Sequence, residues 1–128
     1  MTSFIRSLAK ATVTKMEDVL SRTALTGTAF DITDYEGTIL VVLEAGAATA
    51  GTTPTLDVKL QHSDTSGGTY ADVTGAAYTQ VTTTASQQVL RIDCDAVKGF
   101  IKAVATYGGT STPTFPFGLT VIGHKKYT

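Results

Sequence analysis

Thr55-Leu56-Asp57-Val58-Lys59-Leu60-Gln61-His62 sets an aliphatic residue at every second position and a polar one between. Successive side chains of a strand point to opposite faces, so Leu56, Val58 and Leu60 share one side and Asp57, Lys59 and Gln61 the other. The stretch predicts a strand with one buried and one wet face. Phe115, Phe117, Leu119 and Val121 repeat the pattern near the end of the chain. Residues 99–106 differ: Phe100 and Val104 fall on the side of Lys102, with Ile101, Ala103 and Ala105 opposite. Apolar residues on both faces predict a central strand. The aliphatic run 39–43 ends at Glu44; it is far short of the roughly 20 residues a bilayer requires and reads as a buried strand.

Outward from these stretches, short strand-like runs alternate with clusters of Gly, Ser, Thr, Asp and Pro at the spacing of a sandwich or barrel. Eight strands are expected, at 28–33, 38–44, 55–62, 69–73, 78–83, 87–93, 99–106 and 114–123. The 64–68 segment, DTSGG, reads as the turn closing a hairpin, its glycines free to take positive φ. Threonine fills 25 of 128 positions, and a β-branched hydroxyl residue suits a half-wet pleated surface. A chain of this length buries roughly two-thirds of its unfolded surface in one core. The expected fold class is all-β: an antiparallel, jelly-roll-like β-sandwich over 28–128, preceded by an N-terminal arm, 1–27. Two connections, 45–54 and 107–113, carry no charge. They are expected to be loops that can lie against another protein without desolvating ions.

Within the arm, Phe4, Ile5 and Leu8 recur at helical spacing, as do Met16, Val19 and Leu20, and Thr14 with Glu17 fits a capping box. The β-branched stretch 11–14 opposes a helix. These six apolar residues are too few to form their own core, so they are expected to pack on the domain or on a neighbouring subunit, and they are the candidate interface.

The chemistry expected of the chain is sparse. A net charge of −1, with basic residues scattered apart from Lys125 and Lys126, does not suit nucleic acid, whose grip needs concentrated cations. No apolar stretch in 1–10 is long enough to predict a signal peptide. The single cysteine, Cys94, lies between Asp93 and Asp95, whose carboxylates disfavour the thiolate. Phosphate-loop, nucleophile-elbow, paired-cysteine and HExxH motifs are absent from the sequence. His62 and His124 are the only histidines. Asp31, Asp34 and Glu36 crowd one turn without the spacing of a calcium loop, and Asp64 with Asp72 is expected to flank a hairpin. Tyr35, Tyr70, Tyr78, Tyr107 and Tyr127 are expected at core edges. No catalytic residue, cofactor, metal, nucleic acid or membrane partner is expected, and the chain does not read as an enzyme.

The segments PTLDVKLQHSD (54–64), YADVTGA (70–76) and GHKKY (123–127) resemble small proteins encoded among the head genes of tailed bacteriophages, over about 38–127. The family is that of capsid decoration, or cement, proteins with jelly-roll-like sandwiches. The resemblance implies a virion protein, made in the host cytoplasm, that sits on the capsid surface and bridges subunits of the major capsid protein. It also implies a homo-oligomer, with trimers favoured over dimers. A glycan- or receptor-binding module of a fibre or tail, and a tail-tube or head-completion subunit, are the alternative readings. No single binding residue is carried over.

Overall fold

The computed structural model describes residues 11–22 and 25–125. Eight strands occur in order: β1 (Ala11–Arg22), β2 (Leu25–Thr26), β3 (Phe30–Asp31), β4 (Tyr35–Ala45), β5 (Ala50–Ser63), β6 (Ala71–Ala77), β7 (Ser86–Asp93) and β8 (Phe100–Lys125). Among the described residues there is no helix.

The 26-residue strand β8 organises the molecule. Its second half, 115–125, pairs with β1 on one side and β4 on the other, and β4 pairs in turn with β7. Its first half lies between β5 and the short strands β2 and β3, and β5 pairs with β6. All of these pairings are antiparallel. The result is two four-stranded rows joined by one strand: β1-β8-β4-β7, and β2/β3-β8-β5-β6. With β8 counted as two strands and β2 with β3 as one, the orders become 1-8-3-6 and 2-7-4-5. That is a hairpin of four strand pairs rolled on itself, a jelly roll.

The alternations read from the sequence build the core. Leu56, Val58 and Leu60 are buried, as are Ile101, Ala103 and Ala105, and Phe115, Phe117, Leu119 and Val121. Residues 100–106 are placed centrally, as the apolar character of both faces predicts: Ala105 pairs by backbone register with Leu25 in one neighbouring strand and Val58 in the other. From β4, Ile39, Val41 and Leu43 complete the interior at 0% exposure. A tie between the two sheets comes from Tyr78, whose hydroxyl donates to the Val41 carbonyl at 2.7 Å.

The strand boundaries depart from the sequence reading at three places. The runs at 99–106 and 114–123 are one continuous strand, and 107–113 lies within it. Likewise 50–54 belongs to β5, so the two uncharged connections pair with each other, Ala50 with Thr114 and Thr52 with Thr110. The physical reason is a pair of bulges. Between those pairings β8 carries two more residues than β5, and between Thr52 and Thr55 β5 carries one extra. The non-glycine residues at positive φ are Thr53, Ser111 and Thr112, all inside the bulged stretches. Left-handed backbone costs a residue with a Cβ about 1–2 kcal/mol. Here it bends β8 from one sheet to the other, the usual work of a bulge at a sheet corner. Finally, 78–83 is not an independent strand: a single bridge, Leu56 with Val81, extends the line of β6 along β5.

The amino-terminal stretch also differs from its helical spacing, because 11–22 is extended. Its register against β8 slips between Lys15 and Glu17 and again between Val19 and Arg22. Each slip inserts one residue into the period of two, which turns a step of two into a step of three. Met16, Val19 and Leu20 lie on this strand, of which only the backbone pairing is described; Phe4, Ile5 and Leu8 lie outside the described residues.

Candidate interaction surface

Three parts of the surface carry polar or irregular features: the seam between β6 and β7, and the two rims of the roll. At the seam the sheets do not close. Strand β7 ends one row and β6 the other, and the gap is bridged by the side chain of Gln88. Its Oε1 accepts the Thr79 N–H at 2.7 Å and its Nε2 donates to the Thr79 carbonyl at 2.8 Å, so an amide side chain replaces one ladder step. Beyond that bridge the strands part around a cavity of about 360 Å³, lined by His62, Asp72, Val73, Arg91, Ile92 and Asp93 among others.

The cavity brings one of the sequence's candidate residues into a defined setting. His62 Nδ1 accepts the Lys98 N–H at 3.2 Å, which in the neutral ring leaves the proton on Nε2. Asp72 is engaged elsewhere, on the outer face of β5 and β6. It accepts from Gln61 at 2.8 Å and from Lys59 at 3.0 Å, and these two partners, Gln61 first, hold its carboxyl below the usual range. Asp93 Oδ1 accepts the Asp95 N–H at 2.9 Å and caps a turn. Cys94 is half-buried against the core, its N–H bonded to the Gly37 carbonyl. His124, opposite Glu36, belongs to the sheet of β1, β4 and β7, whereas His62 belongs to β5 in the other sheet. The structure thus does not assemble the two histidines and the cysteine into one group.

The remaining acidic candidates resolve into turns and surface pairs. Asp31 Oδ1 accepts both the N–H and the hydroxyl of Thr33, at 2.8 and 2.6 Å, the self-bonded turn that short carboxylates favour. Asp64 of the β5–β6 turn pairs with Lys98 of the β7–β8 turn at 3.5 Å. Among the described residues no three of His, Cys, Asp and Glu converge as a metal site, and no helix is long and apolar enough to cross a membrane. The described tyrosines serve packing: Tyr107 stands at a tilt to Phe115 and Phe117, and Tyr70 lies under the Lys102 ammonium at 4.1 Å; Tyr127 lies outside the described residues. Tyr35 lies against Gly123, where an added Cβ would fall 2.8 Å from its ring.

One rim is formed by the β4–β5 connection, the bulged corner of β8 and the β6–β7 connection. Residues 45–54, 79–86 and 107–114 contain no charged side chain. Thr49, Thr52, Thr53, Thr82, Thr83 and Thr110 are exposed there. This rim is ordered by its own bonds: the Thr49 N–H donates to the Thr114 carbonyl, and the two hydroxyls lie 2.7 Å apart. The sequence reading found this uncharged surface but took it for loops.

The strand order defines a jelly-roll sandwich, and solved structures of viral particles are similar to it in fold. The chain is similar to a protein in the crystal structure of the T13 viral particle of infectious bursal disease virus, at 14% identity and a TM-score of 0.55. That match covers 89% of this chain and 31% of the other. It is similar also to the crystal structure of the VP2 subviral particle of the same virus, at 13% identity, a TM-score of 0.53, and 89% and 32% coverage. The chain therefore spans about a third of the length of these neighbours, and the likeness is one of fold. No protein-family model and no curated protein matches the sequence.

Proposed function

We propose that this chain is a structural protein of a virion, a capsid decoration or cement protein that binds the outside of a phage head and bridges major capsid protein subunits. The observation that carries the reading is the likeness of fold, over 89% of the chain, to proteins of two viral particles. The surface chemistry supports it. His62, Asp31, Asp64, Asp72 and Asp93 are engaged in turns and surface pairs, while the connections of one rim carry no charged side chain. A bridge across a joint between subunits adds buried area that must be lost before the joint opens. Several copies held together, a trimer ahead of a dimer, gain avidity through effective concentration without any one strong site. In this reading the segment 1–27, through Phe4, Ile5, Leu8, Met16, Val19 and Leu20, contributes contacts to neighbouring subunits.

The test is co-sedimentation of the purified chain with shells of the virus that encodes it, prepared without the protein. Saturable binding at a fixed number of copies per shell, with a raised disruption temperature of the shell, is the expected result. Selective capture by a glycan array without shell binding would move the protein to a fibre or tail.

A further inference from the structure

The two rims of the roll have opposite chemistry. The first, described above, is uncharged over three separate segments. Its nearest carboxylates, Glu44 and Asp57, are each set back in the ladder and bonded by a glutamine side chain, Gln87 at 3.3 Å and Gln80 at 3.1 Å. By backbone register Arg22, opposite Phe115, is the formal charge that comes nearest among the described strands. The second rim is made by the β3–β4, β5–β6 and β7–β8 turns. It exposes Asp31, Asp34, Glu36, Asp64, Asp93 and Asp95. Among the described residues Lys98 and Lys125 are the cations placed among them, and the first already pairs with Asp64.

Resting on the shell-binding reading, we infer that the molecule seats on the capsid through its uncharged threonine rim and turns its acidic rim to solvent. Contact removes water from whatever it covers, and a carboxylate covered without a partner carries a heavy desolvation cost. The three connections 45–54, 79–86 and 107–114 have no ion of their own to strip, and their hydroxyls can donate and accept to a partner's backbone or side chains. The corner bonds hold its shape before contact, so little ordering remains to be done on binding. Six carboxylates at the opposite end repel one another and any acidic surface, which keeps that end hydrated and discourages stacking of one copy on another. The partner surface that fits is correspondingly a protein joint poor in exposed charge and supplied with backbone or side-chain hydrogen-bonding groups.

An electron-microscopy map of virions carrying the chain, joined to binding assays of charge variants on shells stripped of it, tests the orientation. The map is expected to place 46–53, 82–85 and 109–114 against the shell and 64–69 and 94–99 outermost. Thr83→Glu and Thr110→Glu, each on an exposed position, are expected to weaken shell binding by about tenfold or more, the effect of a covered, unpartnered charge. Ser66→Glu, which adds the same charge at the acidic rim, is expected to stay within about twofold. Circular dichroism checks that each variant is folded, and the map needs no variant. Shell-bound density with the acidic rim inward, or Ser66→Glu weakening binding as much as the rim variants, overturns the orientation while leaving the shell reading standing. Density on a fibre or tail, or none on the particle, removes both.

Discussion

Removing one oxygen, by Tyr78→Phe, tests how the two sheets are held together. Tyr78 belongs to the outer line of one sheet, beside β6, and its hydroxyl reaches across the core to a main-chain carbonyl in the middle of β4 at 2.7 Å. The residue is 6% exposed. Loss of the hydroxyl leaves the Val41 carbonyl short of that partner, so at neutral pH the variant should be about 1–2 kcal/mol less stable. Alkaline pH gives a second and more specific signature. Burial disfavours the phenolate and pushes the Tyr78 hydroxyl well above its ordinary value. Below about pH 10 both folded and unfolded chains keep the proton, and this group adds no slope. Above it the unfolded chain releases the proton while the folded chain holds it, so the folded state binds more protons and stability falls as pH rises, by up to about 1.4 kcal/mol per pH unit. Urea unfolding of the wild type and Tyr78→Phe, followed by circular dichroism from neutral to strongly alkaline pH, measures both effects. The two stability curves should converge as pH climbs, since the variant lacks the titrating group. Parallel curves would refute the view that Tyr78 is buried and bonded as a proton-holding tie.

Other substitutions probe separate features. Gly123→Ala places a methyl 2.6 Å from Ile39 Cγ2 and 2.8 Å from the Tyr35 ring; the overpacking should cost about 1–3 kcal/mol in thermal or urea unfolding. Phe115→Ala, at a 0% exposed site where β8 enters its second sheet, should cost about 3–5 kcal/mol, and a midpoint near wild type would mean the core is not organised around that corner. Gln88→Ala should unfasten the β6–β7 seam: amide exchange at Thr79 is expected to quicken, with a global loss of about 0.5–1.5 kcal/mol. Asp72→Asn leaves an exposed pair with Lys59 unmade and should leave the unfolding midpoint unchanged, because exposed ion pairs hold little net energy.

The core was legible in the sequence wherever the period of two ran unbroken. Leu56, Val58 and Leu60 needed no more than alternation, and the two-sided apolar character of 100–106 was enough to place that strand centrally. Legibility failed where a bulge changed the count. In 11–22 the slips beside Met16 and between Val19 and Arg22 disguised a strand as a weakly helical pattern, and no local residue announces a bulge made without glycine. The uncharged segments 45–54 and 107–113 looked like loops for a related reason: glycine, proline and threonine mark turns and bulges alike. Only long-range pairing separates them, and composition does not report pairing. The seam was hidden for the same cause. His62 and Asp72 belong to adjoining strands of one hairpin, but Arg91 and Asp93 reach the cavity from the other sheet, through a strand order that short-range patterns do not encode.

That strand order also explains why the two rims can differ so sharply. In a rolled hairpin each end collects connections from distant parts of the chain. Here 46–49, 82–85 and the β8 corner meet at one end, and 32–34, 64–70 and 94–99 at the other. A change of composition in any one connection is therefore felt at only one end. Core strands shared by both rims stay fixed while the connections vary, so charge can be gathered at one end and cleared from the other without disturbing the packing between them. The proposed covering of a joint between subunits would use that separation: one end would give up its water, and the other would keep it. The bulged corner links the two demands, since the strand that carries the uncharged rim also carries Phe115, Phe117, Leu119 and Val121 into the core. The rim is consequently as firmly placed as the interior on which it stands.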